Sequence, residues 1–219
     1  MSAFRSFLVH GYNWDHAKDD VQGTQYALWR QFVPLPALGF AWNSSPSLWN
    51  AWRHGRIHPY HQAWDLADQA GTRVMRLLAE ATRPHIVVCH SLGSRVVMQA
   101  LVQHPEELPN LRAVLIFNGA EATRNARVAA LAHPEVKFHN VMVKSDRVLR
   151  LVGSLFTPGR IYEPVIGYQG LKDPPSNWHS IDLGAAGNNP DSALNHWWSF
   201  RNPANHSRWR GLLADAISS

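Results

Sequence analysis

The sequence is short of cysteine, of charge and of long apolar runs, and each shortage excludes a class of protein. Its single cysteine, Cys89, excludes an intramolecular disulfide and an all-cysteine metal site. Charged residues make up 17% of the chain and hydrophobic residues 45%, a balance that excludes disorder and predicts a large core. No run approaches the roughly 18 uncharged apolar residues of a membrane-spanning helix. The N-terminus also lacks the core of a signal peptide, so we expect a soluble, cytoplasmic protein.

The length and the distribution of charge predict one domain without affinity for nucleic acid. At 219 residues the chain has the size of a single domain, residues 1–219. Lysine and arginine give a formal charge of +5, but they are scattered along the chain, so we expect no nucleic-acid partner. Tryptophan is in clear excess, with 10 copies, and most of them fall early in the chain, at Trp14, Trp29, Trp42, Trp49, Trp52 and Trp64.

Short apolar runs alternate with helix-compatible stretches, the pattern of a parallel sheet covered by helices on both faces. The runs are rich in Val, Ile, Leu and Phe, as strands buried on both faces must be. The predicted strands are 4–10, 39–42, 85–90, 113–118, 138–143 and 179–183. The predicted helices are 15–32, 60–81, 92–104, 125–132 and 205–217. Residues 43–59 and 148–177 fit no regular element, and long loops of this kind are usually functional or mobile.

Residues 85–97 carry the most informative motif: an apolar strand, a serine between small or tight-turning residues, and then a helix. A strand-to-helix turn here lifts the Ser91 hydroxyl out of the sheet at the helix N-terminus, where free N–H groups face a developing negative charge. Helix capping alone would explain Ser91, but it does not explain Gly93 two positions later. We expect Cys89 to be a small buried spacer and not a nucleophile.

The segment 89–93, Cys-His-Ser-Leu-Gly, resembles the nucleophile elbow of the α/β-hydrolase superfamily, G-x-S-x-G, with Cys89 in place of the first glycine. The apolar strand that ends in His10-Gly11 resembles the oxyanion loop of the same superfamily. The resemblance covers nearly the whole chain. It implies an α/β three-layer sandwich with a mainly parallel sheet of about six strands, without the usual N-terminal hairpin or a full helical cap. It also implies oxyanion donors at the backbone N–H groups of Tyr12 and Leu92, and no cofactor.

In the superfamily the two partners of the serine follow it in the order Asp or Glu, then His. Asp146 lies just past the fifth predicted strand, where the superfamily usually carries the acid, and Glu121 after the fourth strand is the rival. His196 follows the last strand by a loop and precedes an aromatic pair, which resembles a subset of small α/β hydrolases. His179 lies at the wrong end of its strand and is expected to be structural, whereas His206 is expected to belong to the terminal helix.

Two further groups of side chains lie after the second strand. Three are histidines close in sequence: His54, His58 and His61. Because Gly55 and Pro59 break the helix that would bring them together, and no carboxylate or thiol accompanies them, we expect no metal site. Three are tryptophans: Trp42, Trp49 and Trp52. Large aromatic side chains are often simply core, but we expect these to bind substrate, on a segment that acts as a partial lid.

Together these patterns predict a serine hydrolase that cleaves a small-molecule carboxylic ester. Ser91 would attack the carbonyl, His196 would act as general base and acid, and Asp146 would orient His196. Two alternatives stay open. One is a thioesterase or amidase with the same triad, and the other is a noncatalytic protein that binds a small ligand in the tryptophan-rich pocket.

Overall fold

The computed structural model describes residues 5–12, 25–53, 55, 58–104, 108–150, 164–190 and 195–218. The strands within these ranges are β1 (Ser6–Val9), β2 (Ala37–Phe40), β3 (His85–His90), β4 (Leu111–Phe117), β5 (Lys137–Met142) and β6 (Trp178–Asp182). They form one sheet in the order β2-β1-β3-β4-β5-β6, and all neighbours run parallel. The carboxyl ends of the strands therefore meet at one edge of the sheet.

Helices cover both faces of this sheet. The α-helices of the described ranges are α1 (Gln25–Trp29), α2 (Leu48–Arg53), α3 (Pro59–Ala79), α4 (Gly93–Gln103), α5 (Thr123–Ala132), α6 (Ile166–Gln169), α7 (Trp198–Arg201) and α8 (His206–Ser218). Apolar residues of α3, α4 and α5 form the core on one face, and those of α1, α7 and α8 form the core on the other. The expected three-layer α/β architecture is confirmed, and it agrees with the α/β-hydrolase fold. Among the described helices, none combines the length and apolarity that a membrane crossing requires.

Both faces of the central strands are apolar because both are covered. In β1, Phe7 and Val9 pack toward α3 and α4, whereas Leu8 between them packs toward α1 and α8. All three side chains are fully buried. A strand in this position cannot alternate apolar and polar residues, so its sequence is an unbroken apolar run. This is why the central strands could be located from the sequence.

The first predicted helix and the second predicted strand differ from the structure. Of the helix predicted over 15–32, residues 15–24 lie outside the described part, and only 25–29 of the rest form the short helix α1. The chain turns at its end because the Trp29 carbonyl accepts the N–H groups of both Phe32 and Val33, just ahead of Pro34. Strand β2 ends two residues before Trp42, whose side chain instead hydrogen-bonds back to the loop that follows β1.

The two segments predicted to be irregular each contain a short helix. In 43–59, the Ser47 hydroxyl accepts the backbone N–H of Asn50 at 3.1 Å and caps α2. In 148–177, helix α6 is fixed by Asn140, whose amide donates to the Ile166 carbonyl at 2.8 Å. Residues 151–163 lie outside the described part. Neither helix has the apolar periodicity of a longer element, so the sequence pattern missed both.

Candidate active site

Ser91 lies on the turn between β3 and α4, at the carboxyl edge of the sheet. Its φ is 50°, in the left-handed region that non-glycine residues seldom occupy. Its N–H donates to the Phe117 carbonyl at 3.0 Å, and its carbonyl accepts the Ala120 N–H at 3.0 Å and the Ser94 hydroxyl at 2.7 Å. The turn is therefore held by the end of β4 and by the first turn of α4.

Two glycines permit the close packing around Ser91. A Cβ atom at Gly93 would lie 2.4 Å from the carbonyl oxygen of His10, so only glycine lets α4 begin this close to the end of β1. A Cβ atom at Gly11 would lie 2.8 Å from Cβ of Ser91. The His10-Gly11 loop thus packs directly against the serine. Cys89, on the strand side of the turn, is fully buried, and burial raises the pKa of its thiol, which opposes a nucleophilic role.

His196 and Asp146 are hydrogen-bonded, with Nδ1 of the imidazole 2.7 Å from Oδ2 of the carboxylate. Both side chains are buried. Because a carboxylate only accepts, Nδ1 carries the proton, and in the neutral ring Nε2 is the acceptor. The structure therefore brings together the predicted acid and the predicted base, which lie 50 residues apart in the chain.

Asp146 is surrounded by hydrogen-bond donors. Its Oδ1 accepts the backbone N–H groups of Val148 at 2.9 Å and Leu149 at 3.1 Å, and its Oδ2 also accepts the Asn118 amide at 2.8 Å. Burial alone raises the pKa of Asp146, but the hydrogen bond and charge of His196, together with the Leu149 and Asn118 donors, outweigh it. The net pKa of Asp146 is lowered, so the group is a carboxylate at neutral pH.

Asn118 and Ser199 are supporting residues that sequence reasoning missed. Asn118 directly follows β4 with a φ of 46°, a left-handed conformation that asparagine tolerates better than most residues. The Ser199 hydroxyl on α7 donates to its Oδ1 at 2.6 Å, which turns the amide N–H group toward Asp146. The sequence pattern that could have identified Asn118 is a polar residue directly after a buried strand, at the edge of the sheet where the site lies.

Glu121 belongs to a different cluster. Its carboxylate lies 3.1 Å from Nη1 of Arg95. The same guanidinium donates from Nη2 to Asp68 at 2.7 Å, and its Cζ stacks 4.0 Å from the centroid of the Trp64 ring. Burial raises the pKa of Glu121 to about 7, against the opposing effect of Arg95. In the described part of the chain, the hydrogen bonds of Glu121 include none with His196.

A cavity of about 280 Å³ opens beside Ser91. Ser91 and His196 both line it. The ring of Trp197 is inclined at 79° to that of His196, with centroids 5.2 Å apart. The rest of the described lining is mostly aromatic or aliphatic, with Tyr12, Tyr60, Ala120, Val148 and Leu149. The backbone N–H groups of Tyr12 and Leu92 have no hydrogen-bond partner in the described ranges. The cavity is thus apolar apart from its histidines and the hydroxyls of Ser91 and the tyrosines.

The tryptophans expected in the substrate pocket do not line this cavity. Trp42 is buried, stacks on His10 with ring centroids 5.6 Å apart, and donates from Nε1 to the His10 carbonyl at 3.0 Å. Trp49 and Trp52 are 66% and 58% exposed on α2. The aromatic wall comes from Tyr12, Tyr60 and Trp197 instead. Trp197 could have been predicted from the sequence, because it is the first residue of the aromatic pair after His196.

The remaining histidines of the prediction lie apart from the Asp146–His196 pair. His179 is exposed on β6 and stacks on His139, and His206 begins α8 with Nε2 2.9 Å from the Phe200 carbonyl. His58 lines the cavity but caps α3, its Nδ1 accepting the Tyr60 N–H at 3.1 Å. His54 lies outside the described residues. Over the ranges that the structure describes, no three side chains form a group that could hold a metal ion.

No protein-family model and no curated protein sequence matches the chain. Among solved structures, it is similar to a YdeN-like hydrolase from Pectobacterium atrosepticum, at 13% identity over 98% of this chain and 93% of that one, with a TM-score of 0.49. It is also similar to a monoacylglycerol lipase of Paleococcus ferrophilus, at 12% identity over 97% and 93% of the two chains, with a TM-score of 0.48. A CIB-like hydrolase from Thermoplasma acidophilum gives 12% identity, 98% and 87% coverage, and a TM-score of 0.46.

Proposed function

We propose that the protein is a serine hydrolase that cleaves carboxylic esters, with Ser91 as nucleophile, His196 as general base and Asp146 as the residue that orients the base. One observation carries the proposal: the 2.7 Å contact from His196 Nδ1 to Asp146 Oδ2, made by an imidazole that lines the same cavity as Ser91. A serine hydroxyl is a weak nucleophile unless a base takes its proton. The tautomer fixed by Asp146 leaves Nε2 free to do so.

The reaction proceeds in two halves. Ser91 Oγ attacks the ester carbonyl while its proton passes to His196 Nε2, and the tetrahedral intermediate collapses as the imidazolium returns that proton to the leaving alkoxide. Water then attacks the acyl-enzyme, giving its proton to His196, and the carboxylic acid leaves as Ser91 is restored. Proton transfer of this kind contributes about 10² to 10⁴ in rate. Asp146 stays ionised throughout and stabilises the imidazolium.

The oxyanion of the intermediate is stabilised by the backbone N–H groups of Tyr12 and Leu92. Leu92 follows Ser91 directly, and Tyr12 follows Gly11, whose backbone packs against the serine. Neither N–H group has a partner in the described ranges, so both are free to donate to a substrate. Loss of one such donor typically costs about 10² to 10³ in rate.

The cavity supports an ester with a small, uncharged acyl group. Its volume of about 280 Å³ is at the lower end for ligand pockets. Its walls near Ser91 are aliphatic or aromatic, with Ala120, Leu149 and Trp197 among them. A charged acyl group would lose its hydration there without gaining an ion pair from the described lining.

The intact-protein mass after incubation with a fluorophosphonate tests the activated serine. We expect a single adduct on the wild type and none on Ser91→Ala. Ser180→Ala is the matched control, because Ser180 is exposed on β6, and it should be labelled like the wild type. Kinetics with acetyl, butyryl and octanoyl esters, beside a thioester and an anilide, then separate the esterase from its alternatives.

The outcomes are distinct. An adduct that depends on Ser91, with hydrolysis fastest for short esters, supports the proposal. Faster turnover of the thioester or the anilide would assign the same triad to that bond. A folded wild type that forms no adduct and hydrolyses none of these substrates would overturn the catalytic proposal in favour of a ligand-binding protein.

A further inference from the structure

We infer that His90 is a positioning residue that fixes the catalytic base by donating a hydrogen bond to the backbone carbonyl of His196. The inference rests on the proposed function, in which His196 is that base. His90 is the last residue of β3 and directly precedes Ser91. One side chain on the rigid sheet would thus set the position of the base relative to the nucleophile.

The contacts of His90 are directed at His196. Its Nε2 lies 3.1 Å from the His196 carbonyl oxygen, and the two rings pack with centroids 4.6 Å apart. Phe200 on α7 packs edge-on against the His90 ring, with ring centroids 5.0 Å apart. His196 itself belongs to no helix or strand, since α7 begins two residues later. Its backbone therefore needs support of this kind from another element.

The protonation state of His90 follows from these contacts. A carbonyl only accepts, so Nε2 of His90 carries the hydrogen, and its buried Nδ1 has no hydrogen-bond partner among the described residues. Burial lowers the pKa of His90 well below its ordinary range. The charges of His196 before α7, Arg201 on α7 and His10 after β1 lower it further, and they outweigh the bond to the His196 carbonyl.

A neutral His90 suits the reaction because it adds no positive charge beside the imidazolium that forms on His196 during catalysis. Such a charge would oppose proton transfer from Ser91. The two imidazoles thus have different roles because they have different hydrogen-bond partners. His196 contacts a carboxylate, and His90 contacts a backbone carbonyl.

Two substitutions separate the hydrogen bond from the packing. His90→Leu removes the donor at similar volume, and we expect kcat to fall about 10- to 100-fold with little change in KM, since a small misplacement of a catalytic group is costly. His90→Gln offers an amide N–H at similar reach and should restore much of kcat. Because the imidazole of His90 is uncharged, replacing it with the uncharged glutamine amide should leave the acid limb of the plot of kcat/KM against pH at the wild-type position.

Phe200→Leu is the matched control, because it loosens the packing against His90 but leaves the hydrogen bond. It should lower the melting temperature and leave kcat near the wild-type value.

If His90→Leu does not fold, His90→Asn is measured in its place. The shorter asparagine amide cannot reach the carbonyl, so His90→Asn should lose activity where His90→Gln does not. Kinetics equal to the wild type in the variant without the donor would overturn the inference. A loss of kcat in His90→Gln as large as in the variant without the donor would also overturn the inference, as would a shift of the acid limb in His90→Gln. A wild type without fluorophosphonate reactivity would instead overturn the proposed function.

Discussion

At the residue scale, the two buried carboxylates near Ser91 share one chemistry and differ in what surrounds them. Asp146 accepts hydrogen bonds from His196, from Asn118 and from two backbone N–H groups. Glu121 faces the Arg95 guanidinium, and its other partners lie on the loop and helix that follow it. Only Asp146 is therefore placed to orient an imidazole.

Exchanging each carboxylate for its amide tests this assignment. Asp146→Asn keeps the shape of the side chain but offers the wrong partner to His196 Nδ1, so we expect kcat for a short ester to fall about 10³- to 10⁴-fold. Glu121→Gln should leave kcat near the wild-type value. Both variants should keep the wild-type circular dichroism spectrum. A large loss with Glu121→Gln beside an active Asp146→Asn would move the acid to Glu121.

The sequence was informative about residues whose roles depend on chain order, and silent about those whose roles depend on contacts. Ser91, Asp146 and His196 could be proposed because each follows a recognisable strand in a known order. Asn118 and Ser199 could not, because their contribution is a chain of hydrogen bonds that forms only when β4 and α7 meet. Trp42, Trp49 and Trp52 do not line the cavity beside Ser91, because an excess of tryptophan in the composition does not show which surface each side chain faces.

At the scale of elements, the central strands could be predicted and the short helices could not. A strand buried on both faces leaves an apolar run in the sequence, whereas α2 and α6 are only 6 and 4 residues long. Such helices depend on a cap or a tertiary contact and show no amphipathic period. The junction of β1 with α4 is marked in the sequence by Gly93, because the close contact with the β1 backbone leaves room only for glycine.

Adding a methyl group at Gly93 tests that junction. Its Cβ would meet the carbonyl oxygens of Val9 at 2.5 Å and His10 at 2.4 Å, and neither can move without shifting β1. We expect Gly93→Ala to lower the free energy of unfolding in urea by about 1–3 kcal/mol and to abolish ester hydrolysis. Gly211→Ala in α8 is the control: it meets nothing within 4 Å and should raise stability by about 0.5–1 kcal/mol. Equal effects at the two glycines would contradict a close junction.

At the scale of the whole molecule, buried titratable groups make stability depend on pH in two opposing ways. Burial lowers the pKa of three histidines, His85, His90 and His139, the last of them to about 4. As the pH falls, these histidines bind protons in the unfolded chain at a higher pH than in the folded protein. Their contribution to stability is therefore lost as the pH falls below about 6.5. Glu121 has the opposite sign. Its folded pKa of about 7 lies above its ordinary value, so its contribution is present in acid and is lost as the pH rises toward 7.

These signs predict how the free energy of unfolding in urea varies between pH 4.5 and 7. The three histidines outnumber Glu121, so wild-type stability should rise with pH across this range. Glu121→Gln removes the opposing contribution, and we expect its curve to rise more steeply than that of the wild type, by on the order of 1–3 kcal/mol over the range. His139→Gln removes a term of the other sign and should flatten the curve. If Glu121→Gln ran parallel to the wild type, Glu121 would have to be ionised throughout, held so by Arg95, and the cluster would act as a fixed ion pair instead of a titrating group.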